Sequence, residues 1–269
     1  MSKIKVTFEK LKEANKSALI PFITAGDPHP KDTVQLMDTL VENGADMIEL
    51  GIPFSDPMAD GPVIQRASER ALNNKVGIKD TIKLAKDFRK TNKETPLILM
   101  GYANPIEAIG VENFIQLIKE AQIDGVITVD YPPEESREFV KKLNEQKIDS
   151  IFLLSPTTED ERIKLIAEQA SGFLYYVSLK GVTGAANIDI KEVSEKVNNI
   201  KKYSDLPVAV GFGVRDADTA KSVAEISDAV VIGSRIVKEI EASEKNHIFS
   251  NVKKLVESMK NAIDSSKAQ

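Results

Sequence analysis

Glu49 stands inside M-I-E-L-G-I, a run otherwise apolar, near its C-terminal end. Glutamate is almost never fully buried without a partner. A carboxyl group enclosed there would hold its proton near neutral pH, because lost hydration disfavours the charged form. Such a group can accept or deliver a proton in a reaction. The alternative is a Glu that points outward and pairs with a surrounding helix. Eleven positions on, in P-F-S-D-P-M-A-D-G-P, lies Asp60. Prolines stiffen that segment and lower the entropy of ordering it, so it could hold a carboxylate over a site. Asp56 and Asp60 could equally be turn residues that bond their own backbone.

A second kind of chemistry is written in glycines. Gly211-Phe212-Gly213 and Gly233-Ser234-Arg235 each follow a short apolar run. Glycine lets a backbone approach an anion, and N–H groups at a helix start point toward it. Thr183 and Gly184, in L-K-G-V-T-G-A-A-N, sit on a segment of small residues suited to a lid. Tyr102 and Tyr175 lie at or near run ends, where they would line a pocket or pack a core. Lys180 could serve as a Schiff-base amine. His29, in a proline-rich turn, and His247, on a polar stretch, read as solvated surface residues.

Elements must bring these residues together. Short apolar runs recur at 18–24, 47–52, 97–102, 125–130, 149–154, 173–179, 207–212 and 229–233. Continuous apolarity suits strands covered on both faces. Helical patterns separate them. Val34, Met37, Leu40 and Val41 share a face, as do Phe114, Leu117, Ile118 and Ala121. Val252, Leu255, Val256, Met259 and Ile263 mark a helix near the end. Thr157/Thr158 before three acids resembles a helix start. Eight strand–helix units in 269 residues spell a (β/α)₈ TIM barrel, one domain over 1–269. The wide spacings after the second and sixth runs mark insertions, and residues 6–15 read as a helix preceding the barrel. The rival is an open doubly wound sheet, but the first turn, TAGDPHP, lacks the G-x-G-x-x-G of a dinucleotide site. In barrels the active site sits at the C-terminal strand ends, with phosphate held after strands 7 and 8. The glycine pairs fall at those two strands.

Composition narrows the chemistry. With no Cys, the chain carries no thiol nucleophile, zinc-thiolate site or disulfide. Two His leave little for a His-rich metal site. A net charge of −5 argues against general nucleic-acid binding. No run is long enough to span a bilayer, and MSKIKVTFEKLKE is no signal peptide, so a cytoplasmic location is expected.

The segment MIELGIPFSDPMADGPVIQRASERAL (47–72) closely resembles the signature of the tryptophan synthase alpha subunit family. PFITAGDP (21–28), LMGYANPI (99–106), YYVSLKGVTGA (175–185), GFGV (211–214) and IGS (232–234) extend the resemblance along nearly the whole chain. It implies a TIM barrel that cleaves indole-3-glycerol phosphate to indole and glyceraldehyde 3-phosphate. Glu49 would be the general acid–base, and Asp60 would stabilise positive charge on the indole nitrogen. Phe22, Met100, Tyr102, Ile127, Val129 and Tyr175 match indole-pocket or neighbouring positions. Thr183, Gly184, Phe212, Gly213, Gly233 and Ser234 match phosphate-loop positions. The resemblance implies no metal or organic cofactor in this subunit. It also implies an αββα heterotetramer with a pyridoxal phosphate-bearing beta subunit, docked through residues 53–60, 102–108 and 130–135. Two departures stand out: Ala186-Asn187 where Arg commonly follows G-V-T-G-A, and Arg235 where a small residue is common. A freestanding indole-releasing lyase, a Schiff-base aldolase using Lys180 and a catalytically dead activating partner remain as alternatives.

Overall fold

The computed structural model describes residues 2–178, 189–211 and 213–267. Eight parallel strands close a barrel in sequence order: β1 (Ala18–Thr24), β2 (Ile48–Gly51), β3 (Leu97–Gly101), β4 (Gly125–Thr128), β5 (Asp149–Leu154), β6 (Leu174–Val177), β7 (Val208–Gly211) and β8 (Ala229–Ile232). Each strand lies inside an apolar run read from the sequence. β8 pairs with β1, from Ala18 opposite Ala229 to Pro21 opposite Ile232, so the sheet has no free edge.

Helices cover the outside. They are α1 (Lys3–Glu13), α2 (Pro30–Glu42), α3 (Pro62–Asn73), α4 (Ile78–Phe88), α5 (Ala103–Ile109), α6 (Val111–Glu120), α7 (Arg137–Glu145), α8 (Asp160–Gln169), α9 (Ile190–Ile200), α10 (Ala217–Ile226), α11 (Ser234–Ala242) and α12 (Ile248–Ser265). The insertion expected after the second strand is the helix pair α3 and α4. The one expected after the sixth falls largely on 179–188, outside the described residues. β3 and β8 are also followed by two helices each, which spacing alone did not reveal. α1 begins three residues before the expected 6–15, because the Ser2 side chain accepts the Lys5 N–H at 3.2 Å and caps it there. On α2, Leu36 joins Met37 and Leu40 in the buried face, while Val34 and Val41 are only partly covered. The run Val252, Val256, Met259, Ile263 is buried on α12.

Side chains alternate across the strands. Ala18, Ile20 and Phe22 of β1 point inward, and Leu19 and Ile23 pack against helices. α1 closes the bottom: Ile4 and Phe8 join the interior cluster, with the Phe8 and Phe173 rings 5.8 Å apart. Three carboxylates pin that end. Asp46 accepts the Leu19 N–H at 2.8 Å, Asp124 that of Leu97 at 2.9 Å, and Asp228 that of Val208 at 2.8 Å. Each thereby ties the strand that follows it to the strand before it. The bottom of such a barrel serves stability, which leaves the top for chemistry.

Candidate active site

Register decides which way Glu49 faces. It pairs with Phe22 on one side and Ile98 on the other, both interior positions. Glu49 therefore points into the barrel, not toward a surrounding helix. It is 0 % exposed, and neither carboxylate oxygen has a hydrogen-bond partner among the described residues. Burial pushes its carboxyl up from the ordinary 4.5 to about 8. At neutral pH the group is mostly a neutral acid that releases its proton within about one pH unit of physiological conditions.

Above it lies a cavity of about 320 Å³ at the C-terminal mouth. Phe22, Glu49, Asp60, Met100, Val129, Tyr175, Gly213, Gly233 and Ser234 all line it. Residues as far apart in sequence as Phe22 and Ser234 thus converge as the strand-end rule expects. Ile127 does not reach the wall; it is fully buried in the barrel interior with Ile98 and Ile151. Thr183, Gly184 and Phe212, together with Lys180, Ala186 and Asn187, lie outside the described residues. Leu153, Ser155, Val177, Val214 and Val231 also line the cavity, although sequence reasoning passed over them. Period-two alternation could have found three of them, since Leu153, Val177 and Val231 share the inward face of their strands with Ile151, Tyr175 and Ala229.

Tyr102 sits behind the second carboxylate. Its hydroxyl donates to Asp60 Oδ2 at 3.0 Å and accepts the Ala59 N–H at 3.1 Å. Gln65 Nε2 reaches back to the Asp60 carbonyl at 2.8 Å. One tyrosine therefore fixes both the loop and the carboxylate orientation. Burial raises the Asp60 carboxyl, and the Tyr102 hydrogen bond opposes that rise. Burial, reinforced by the nearby charge of Asp60, holds the Tyr102 hydroxyl above its usual range. Tyr175 is likewise raised by burial, then by Glu49 and Asp60. Its ring occupies the space a Gly211 side chain would fill.

Gly213, Gly233 and Ser234 bring backbone to the cavity wall. Gly213 has φ +81°, a conformation that favours glycine, and Gly233 caps α11 without a side chain in the way. The N–H groups and positive dipole end of α11 begin at Ser234, on the cavity wall. Arg235 does not line the cavity; it bonds Glu239 at 2.7 Å along its own helix. α3 and α11, whose first turns both border the cavity, are clamped together. Arg70 bonds Asp27 at 2.6 and 3.0 Å and Glu241 at 2.7 Å, and Arg66 bonds Glu241 at 2.7 and 2.8 Å. Neither histidine is near: exposed His29 caps α2 through Nδ1, and His247 lies 3.5 Å from Glu244 on the surface.

A closed parallel barrel with a proton-holding acid, a second oriented carboxylate and a helix N-terminus around one apolar cavity defines a (β/α)₈-barrel enzyme. A family model described as the tryptophan synthase alpha chain matches residues 8–264. The chain is 57 % identical over 264 residues to the tryptophan synthase alpha chain of Nitrosomonas europaea, covering 98 % of this chain and 96 % of that one. It is 56 % identical over 269 residues to that of Thiobacillus denitrificans, covering 100 % and 98 %. The crystal structure of tryptophan synthase subunit alpha from Legionella pneumophila superposes with a TM-score of 0.92 at 46 % identity, covering 98 % of this chain and 99 % of that one. The chain belongs to the tryptophan synthase alpha chain family. It is a carbon–carbon lyase subunit, and its reaction is the cleavage of indole-3-glycerol phosphate to indole and glyceraldehyde 3-phosphate.

Proposed function

We propose that Glu49 and Asp60 carry this cleavage. The observation that bears the reading is the fully buried, unpartnered Glu49 carboxyl in the wall of a cavity that also holds Asp60. In its neutral form Glu49 delivers a proton to the indole ring carbon that bears the glycerol chain. That carbon becomes tetrahedral, and positive charge develops on the ring nitrogen. Asp60, held by Tyr102, accepts the nitrogen's N–H and stabilises that charge. The side-chain hydroxyl then loses its proton, with the Glu49 carboxylate as base. The carbon–carbon bond breaks, its electrons return to the ring, and the aldehyde forms. The protonated ring is the electron sink, so this subunit needs no metal or organic cofactor. Phe22, Met100, Val129 and Tyr175 enclose the indole. Gly213, Gly233 and Ser234 hold the phosphate by backbone N–H groups and the α11 dipole, joined by Thr183, Gly184 and Phe212.

Residues 1–269 act as one barrel domain in the cytoplasm, as the alpha subunits of an αββα heterotetramer. The beta subunit supplies pyridoxal phosphate and receives the indole. Docking uses the active-site face: loops 53–60, 102–108 and 130–135. Met58, 73 % exposed on the first of these, is the one large apolar side chain so exposed among the described residues. Steady-state indole release by Asp60→Asn tests the site. The expected result is a loss of kcat on the order of 100-fold with the fold retained; undiminished turnover would overturn the role of Asp60. Co-elution of the chain with a beta subunit at the mass of two of each tests the assembly.

A further inference from the structure

Adjoining the substrate cavity at Asp60 lies a second, much smaller cavity of about 20 Å³. Phe22, Asp60, Ile64, Met100 and Val129 border both spaces. Four polar side chains meet at the small one: Thr24, Asp60, Ser68 and Tyr102. Thr24 is the last residue of β1, on the inward face two residues beyond Phe22. It is 2 % exposed, and its Oγ1 has no hydrogen-bond partner among the described residues. Its neighbour across the strand pair is Gly51, which has no side chain to fill the space. A Cβ at Gly51 would fall 2.5 Å from the Phe22 ring, so the gap is kept open by that packing.

Buried hydroxyls rarely go unbonded, because an unmet donor or acceptor forfeits its hydration without return. A space of at least 10–15 Å³, measured by water-sized probes, holds one water, provided two to four polar groups surround it. Both conditions are met here.

We propose that this cavity holds one ordered water that accepts from the Thr24 hydroxyl and donates to the Asp60 carboxylate, making Thr24 a positioning residue for Asp60. The inference rests on the role given to Asp60 above. Tyr102 fixes Asp60 from one direction, through Oδ2. The water fixes it from another and replaces hydration that burial removes, so the carboxylate stays an anion aimed at the ring nitrogen. The charge on that nitrogen develops only during reaction, so the contribution appears in the transition state and not in substrate binding.

Two measurements on the full chain decide the matter. The first is a crystal structure at a resolution that shows ordered solvent. A water peak within hydrogen-bond distance of both Thr24 Oγ1 and an Asp60 oxygen supports the inference, and its absence overturns it even if a variant fails to fold. The second is the kinetics of Thr24→Val, which keeps the branched shape and loses the hydroxyl, beside Thr24→Ser, which keeps the hydroxyl. A fall in kcat of about tenfold in Thr24→Val, with KM unchanged and kcat restored in Thr24→Ser, is expected. Unchanged kcat in Thr24→Val, while Asp60→Asn is inactive, overturns the role of Thr24 and leaves that of Asp60 standing. An active Asp60→Asn overturns the role of Asp60 and this inference with it.

Discussion

Replacing Glu49 by Gln changes stability in a way that depends on pH, and the size follows from burial. The carboxyl sits at about 8 in the folded chain against an ordinary 4.5. A raised folded value means the folded state keeps a proton that the unfolded state releases. Below pH 4.5 both states are protonated and the group costs nothing. As pH rises from 4.5 to 8 the unfolded chain gains by ionising and the folded chain does not, so stability falls; beyond 8 both are ionised and the loss is complete. Each tenfold in proton affinity is about 1.4 kcal/mol, so the loss reaches about 3 kcal/mol at pH 7 and about 5 kcal/mol by pH 9. Gln keeps the shape and removes the titration. Urea unfolding of both chains at half-unit steps from pH 4 to 9 reads the difference directly, and titrations elsewhere cancel between them. The gap in favour of Glu49→Gln is expected to open from pH 4.5 and level off past pH 8. A gap that stays flat across this range would refute the reasoning, since an exposed or ion-paired Glu49 produces no such slope.

Other consequences are local. Arg70→Ala leaves Asp27, 1 % exposed, without its bidentate partner; a loss of about 1–3 kcal/mol is expected in urea unfolding, and Arg70→Lys recovers only part because it lacks the planar fork. Gly211→Ala places a Cβ on the Tyr175 ring, with Cζ only 2.7 Å away. The ring must leave its place in the cavity wall, and kcat/KM for indole release is expected to drop on the order of 100-fold, whereas near-normal turnover would show that Tyr175 has room to shift.

Much of this molecule is legible in its sequence because barrel strands are buried on both faces. Runs such as ALIPFIT and DSIFLL then stand out without any need for alternation, and each became a strand. Helices were read less sharply. The paired helices after β3 follow one another with Gly110 alone at the break, so they read as one crossover. Glu49 could be singled out as a charge inside an apolar run, but its direction needed the register that sets it beside Phe22 and Ile98. Tyr102 could be placed near a pocket; its bond to Asp60 spans 42 positions and leaves no local pattern. Ile127 shows the converse. The resemblance puts it at an indole-pocket or neighbouring position; it is buried in the barrel interior beside Met100, which lines the cavity, without lining it itself. Thr24 carried no signal at all, because a threonine ending a strand is unremarkable until its hydroxyl is found enclosed.

Indole release from indole-3-glycerol phosphate by the purified chain and by its Glu49→Gln variant, at pH 7 with the fold of both checked by circular dichroism, tests the central claim most directly. The unmodified chain is expected to form indole and glyceraldehyde 3-phosphate in equal amounts. Glu49→Gln, which has no proton to give or take, is expected to lose at least about 100-fold in kcat while remaining folded. Turnover by a folded Glu49→Gln at the rate of the unmodified chain would contradict the assignment of Glu49 as the acid–base group.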